Sequence, residues 1–132
     1  TPSMVSNYVK KGVISHPVKK NYSREQLASL IYIVLSKNVL SLENIDTLFQ
    51  MQRAHCTAAE AYDYFCDEVE NCLPYIFGAS STICGLDPDA DDEKRLLRGT
   101  IVAAVNKMYL DCCFVAMRQE EALWPGILSD PE

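Results

Sequence analysis

Apolar residues recur along this chain at helical spacing, and capping residues punctuate them. Val5, Tyr8 and Val9 form an i, i+3, i+4 stripe. Thr1 suits an N-cap and Pro2 the first helical position, while Lys10 and Lys11 favour the negative end of the helix dipole. Gly12 suits a left-handed stop, so a short helix is predicted over 2–11, with Ser3, Ser6, Asn7 and Lys10 on its polar face. Residues 13–22 are too short, and broken by Pro17, for another helix. They suit a tight β-hairpin with Val13–Ile14 and Lys20–Tyr22 as arms. Ser23 and Gln26 then form a capping box, and Leu27, Leu30, Ile31, Val34 and Leu35 give the strongest helical stripe in the chain. Asn38 is a plausible stop. Ser41 opens a third helix with Leu42, Ile45, Leu48 and Phe49 inward and Glu43 in its first turn.

The second half continues in the same way. Thr57 and Glu60 read as a capping box, followed by a stripe of Tyr62, Phe65, Val69, Cys72 or Leu73, and Ile76. Gly78 and the Ser80–Ser81–Thr82 run mark a loop to about Leu86. Asp87 and Pro88 are expected to open a long helix, with Asp89, Asp91, Asp92 and Glu93 at its positive end. Leu97, Ile101, Ala104, Met108, Cys112 and Val115 alternate by four and three, as in a heptad seam that either packs within the chain or pairs two chains. Trp124-Pro125-Gly126 ends the helical part. The expected fold is mainly α, with one short hairpin.

The length of 132 residues suits one ordinary domain, and 48% hydrophobic with 23% charged residues suits a globular chain. The longest near-apolar run, Leu27 to Leu35, is nine residues. A bilayer span needs about 20. No basic-then-apolar signal precedes that run, and the expectation is a cytoplasmic protein without membrane contact. The net charge of −6 conceals a division: residues 1–53 carry seven bases against three acids, a net of +4, and residues 54–132 five against fifteen, a net of −10. The chain accordingly divides softly into a basic part, 1–53, and an acidic helical part, 54–132.

Catalytic and metal chemistry find little support. His16 and His55 are the only histidines, neither lies in a nucleophile pattern, and there is no Gly-rich phosphate loop. The Asp89–Glu93 cluster lacks the glycine and ligand spacing of a calcium loop. Cys56, Cys66, Cys72, Cys84, Cys112 and Cys113 include no C-x-x-C pair, so the expectation is mostly buried thiols, with a thiol or metal sensor at Cys112 and Cys113 as the rival. No enzyme, no metal and no cofactor is expected.

The order of elements carries a resemblance. Asn7-Tyr8-Val9-Lys10-Lys11-Gly12-Val13-Ile14, then Tyr22-Ser23-Arg24-Glu25-Gln26-Leu27, then Leu40-Ser41-Leu42-Glu43-Asn44-Ile45 resemble the winged helix-turn-helix of the MerR regulator family. More closely, Met4 to Phe49, with His16-Pro17-x-Lys19-Lys20, is similar to a bacterial family catalogued as domain of unknown function 1836. The MerR resemblance implies a recognition helix at 2–11, a wing at 13–22, and a positioning first helix that is upstream of Thr1 or missing. It also implies that Tyr8 touches the DNA backbone and that Lys19 or Lys20 is the basic wing. The arginines usual on the recognition helix correspond here to Ser3 and Ser6, the first tyrosine of the family's pair is Asn7, and the wing is several residues shorter than usual.

Electrostatics point the same way. Lys10, Lys11, Lys19, Lys20 and Arg24 lie within fifteen residues of chain, each able to neutralise a phosphate. Ser3, Ser6, Asn7 and Lys10 are short enough to let the helix sit deep, with Asn7 suited to adenine and Lys10 to guanine. The expected function is a DNA-binding transcriptional regulator acting as a homodimer on double-stranded DNA, its acidic half left for dimerisation or an unknown small-molecule or protein effector. The rival expectation is a helical protein-interaction module that keeps the fold and does not bind DNA.

Overall fold

The computed structural model describes residues 2–19 and 21–123. Five helices follow one another: α1 (Pro2–Lys10), α2 (Arg24–Ser36), α3 (Leu42–His55), α4 (Ala58–Ile76) and α5 (Asp92–Leu123). The protein is mainly helical, and no strand is present among the described residues. The expectations placed on Thr1, Lys20 and Trp124-Pro125-Gly126 lie outside those residues.

The helix ends follow from local chemistry. Ser23 caps α2 through the full box: its hydroxyl accepts from the Gln26 N–H at 3.1 Å, and Gln26 Oε1 accepts from the Ser23 N–H at 2.6 Å. Ser41 accepts from Asn44 N at 3.1 Å, and Thr57 from Glu60 N at 3.2 Å. The box expected at Thr57 is only half formed, because Glu60 Oε1 instead accepts from the Thr57 hydroxyl at 3.0 Å.

α1 closes on Gly12 at φ 75°, where Val13 N donates to Tyr8 O and Gly12 N to Val9 O, both at 3.0 Å. These two bonds are the Schellman pair, and Tyr8 and Val13 make its accompanying apolar contact, both buried. This closure bears on the expected hairpin, which is not seen among the described residues. Val13 and Ile14 are held in the core and against Tyr8 O, and so do not form its first arm. Among the described residues of 13–22 there is one antiparallel bridge, Val18 to Asn21, with reciprocal bonds of 3.1 and 2.9 Å.

α5 starts later than the sequence suggests. Asp87 Oδ1 accepts from Asp89 N at 2.9 Å and Asp87 O from Ala90 N at 2.9 Å, which spends Asp87 on a turn. Asp91 then supplies the cap, accepting from Lys94 N at 2.9 Å. The helix of 32 residues is about 48 Å long.

One core cluster gathers residues from every helix. Tyr32 of α2 meets Phe49 of α3 and Phe65 of α4, each with ring centroids 5.5 Å apart, and Ile33, Ile45, Cys72, Ile101 and Val105 complete the cluster with Tyr8, Val13 and Ile14. Arg98 of α5 and Glu68 of α4 pair bidentately inside, Nη2 to Oε1 at 3.1 Å and Nε to Oε2 in close contact.

The face of α2 is rotated relative to expectation. Leu27, Ile31 and Val34 are 51%, 49% and 56% exposed, whereas Tyr32, Ile33 and Ser36 are buried. The α5 seam is inward only at its start: Ile101 and Ala104 are buried and Leu97 packs on the core, but Met108, Cys112 and Val115 are exposed. The cysteine expectation is likewise corrected. Cys72 is buried, Cys56, Cys66 and Cys113 are half-buried, and Cys84 and Cys112 are exposed. α5 is also, by length and composition alone, apolar enough to cross a membrane. An 18-residue window within it has mean hydropathy 1.4, 22% of it buried, although Asn106, Lys107 and Asp111 break its apolar runs.

Candidate functional site

The basic end of the molecule is built on α1 and the segment that follows it. Ser3, Ser6, Asn7 and Lys10 occupy one turn-spaced face of α1 and are all exposed. Lys11, Lys19 and Arg24 are exposed beside them in sequence. Lys19 has φ 51°, a left-handed conformation rare for a residue with a β-carbon. Lys20 lies outside the described residues. Tyr8, expected at the DNA backbone, is instead 8% exposed and part of the core. The ion pairs between Lys or Arg and carboxylates of the described residues are Arg98–Glu68 and Lys107–Asp111. None of them engages Lys10, Lys11, Lys19 or Arg24.

A contact that sequence reading did not find fixes this end to α2. Gln26 uses its oxygen for the capping box and its Nε2 to reach back, donating to Ser15 O (3.0 Å), Ser15 Oγ (2.9 Å) and His16 O (3.1 Å). Arg53 of α3 adds a second tie, with Nη2 to Val13 O at 3.4 Å and its guanidinium 5.9 Å from the Phe49 ring centre. The segment between α1 and α2 is thus anchored at both ends of its first half.

The starts of α2, α4 and α5 and the end of α3 line a half-open cavity of about 400 Å³. The buried rings of Tyr32, Phe49 and Phe65 form its floor, while Tyr62 and Tyr64 stand nearer the mouth. Lys94 Nζ lies 5.8 Å from the Tyr64 ring centre. His55 Nδ1 lies 2.8 Å from Met51 O and 3.3 Å from Glu93 Oε2. Burial pushes the Cys56 thiol up; its contact with Gln52 opposes this, and the carboxylates of Glu93, Glu60 and Asp91 add to the rise. Burial likewise raises the Tyr64 hydroxyl. Among the described residues no three His, Cys, Asp or Glu side chains gather to hold a metal ion.

The cavity draws on residues from Glu25 to Leu97, and no spacing in the sequence announces it. Its one legible trace is the density of aromatic residues at Tyr62, Tyr64 and Phe65.

No curated protein and no solved structure matches the chain. Residues 1–65 match the family described as Domain of unknown function (DUF1836), a stretch that takes in α1 to α3 and the first eight residues of α4. It includes the whole basic end, the Gln26 tie and the floor of the cavity. Over residues 1–65, this chain is similar to the DUF1836 family.

Proposed function

We propose that the protein is a cytoplasmic DNA-binding regulator of the MerR-like winged helix-turn-helix type, working as a homodimer. The observation that carries this is the set of exposed cations Lys10, Lys11, Lys19 and Arg24, none held in an ion pair among the described residues, while Arg98 and Lys107 are. α1 would enter the major groove by Ser3, Ser6, Asn7 and Lys10, and the reduced wing would set Lys19 and Lys20 on phosphate. Lys19 supports the wing assignment: a left-handed lysine costs of order 1–3 kcal/mol, and such strain collects where function needs it. α5 supports the dimer, since Leu110, Phe114 and Val115 are exposed in its second half. Such a cluster of large apolar side chains is typical of a partner surface.

The test is fluorescence anisotropy on a random and a selected duplex over a salt series. Four cations on each of two protomers neutralise eight phosphates, for a slope of log K against log[salt] of about −7. Lys19→Ala with Lys20→Ala weakens binding to all sequences alike, while Asn7→Ala changes preference among them. Absence of salt-dependent binding to either duplex at low ionic strength defeats the proposal. The second reading, a helical interaction module without DNA binding, then takes its place, favoured by the half-exposed Leu27, Ile31 and Val34 on α2.

A further inference from the structure

We propose that the cavity between α2, α3, α4 and α5 is a binding site for an organic cation with an apolar, preferably aromatic, body. Its volume of about 400 Å³ falls in the range of small-molecule sites, and its floor is made of aromatic rings. Tyr32 meets Phe49 and Phe65 at 5.5 Å, and Tyr62 meets Phe65 at 6.4 Å, so ring faces and edges line it from several sides. Such walls take up an apolar body without leaving polar groups unpaired.

The charge around the opening gives the sign of the ligand. Glu25, Glu60, Asp91 and Glu93 line it against one ammonium, Lys94, and one imidazole, His55. A cation is favoured there and an anion repelled, because four carboxylates focus a negative field into a low-dielectric recess. The molecule already places a cation at this spot: Lys94 Nζ sits 5.8 Å from the Tyr64 ring centre, within the distance at which a ring quadrupole attracts an ammonium. A ligand cation would take the place of Lys94 on the Tyr64 face, and Lys94 on its flexible stem would swing to solvent. Lys94 is therefore a competitor of the ligand.

Tetraphenylphosphonium and tetraphenylborate, bodies of the same shape and opposite charge, separate these effects in isothermal titration calorimetry on the full chain. The phosphonium is expected to bind at one site per chain, at least tenfold tighter than the borate. Tyr64→Leu lowers its affinity about three- to thirtyfold, the weight of one cation–π contact. Glu25→Gln, on an exposed side chain that needs no refolding of its surroundings, lowers it several-fold at low ionic strength. Lys94→Gln raises it. Phe114→Ser, on the exposed end of α5, leaves it unchanged and so excludes adsorption to that face. Equal or tighter binding of the borate overturns the proposal, as does weaker binding by Lys94→Gln, loss of binding in Phe114→Ser alone, or no binding of the phosphonium at all. None of these outcomes depends on DNA.

Discussion

Removing Glu68 leaves the Arg98 guanidinium without its counter-charge between α4 and α5. The two side chains are 10% and 14% exposed, and the pair is bidentate. Breaking a buried pair from one side costs about 3–5 kcal/mol, chiefly because the remaining charge stays desolvated. Residual access to water places Glu68→Leu at the lower end, near 3 kcal/mol. Domains of this size have about 5–15 kcal/mol in total, so this is a large fraction. With an m-value of about 1–3 kcal/mol/M, the urea midpoint falls by roughly 1–3 M. Arg98→Leu strands a carboxylate instead. In the wild type, Glu68 raises the already high pKa of Arg98, so any loss of the pair through Arg98 deprotonation lies far above neutral pH. The double variant Glu68→Leu/Arg98→Leu is expected within about 1 kcal/mol of wild type, since two apolar side chains replace two desolvated charges. Urea unfolding followed by circular dichroism measures the whole cycle. A cost below 1 kcal/mol for Glu68→Leu, or a double variant no better than the sum of the singles, refutes the assignment of a buried, coupled pair.

Gln26→Ala should cost about 1–2 kcal/mol, because it removes the return bond to Ser23 N and the donor to the carbonyls of Ser15 and His16. Urea unfolding reads this loss, and an unchanged midpoint would remove the tie between that segment and α2. Gly12→Ala meets no atom within 4 Å yet must adopt φ 75°, so thermal melting should report a loss of about 1–2 kcal/mol from backbone strain alone. Native thiol titration should label Cys84 and Cys112 first and Cys72 last, because burial both shields Cys72 and pushes its thiol up, leaving less thiolate at neutral pH. Early labelling of Cys72 would contradict its place in the core.

Where an expectation rested on one local interaction, the chain declared it. Ser23 and Gln26 form the box their spacing suggests, Ser41 and Thr57 act as N-caps (Thr57 without the return bond from Glu60), and Gly12 ends α1 in the left-handed region. The face of α2 was not legible for a specific reason. Leu30 to Leu35 is apolar without a break, so periodicity alone cannot say which side turns inward. Packing against α3, α4 and α5 selects Tyr32 and Ile33. The start of α5 was misplaced because Asp87 and Asp91 are both good caps, and the choice between them is made by the turn at 87–90, which Arg95 braces through Pro88 O at 2.7 Å. Of the basic end, the exposed lysines follow from composition, whereas the burial of Tyr8 follows from the Schellman closure with Val13. The cavity needed four helices brought together across seventy residues, information that no local spacing contains.

The family match ends at Phe65, eight residues into a helix of nineteen. A peptide cut there would keep the Tyr32 and Phe65 rings but lose Cys72, Ile101 and Val105, three members of the same buried cluster as Ile33 and Ile45. The stretch recognisable by kinship and the stretch that can close its own core thus have different ends. Removing α5 does not trim an appendage; it opens the interior to water and strands Glu68. An isolated 1–65 fragment is accordingly expected to behave as a loosely ordered chain, and transplanting the basic end onto another scaffold would require a replacement for the apolar wall that α5 supplies.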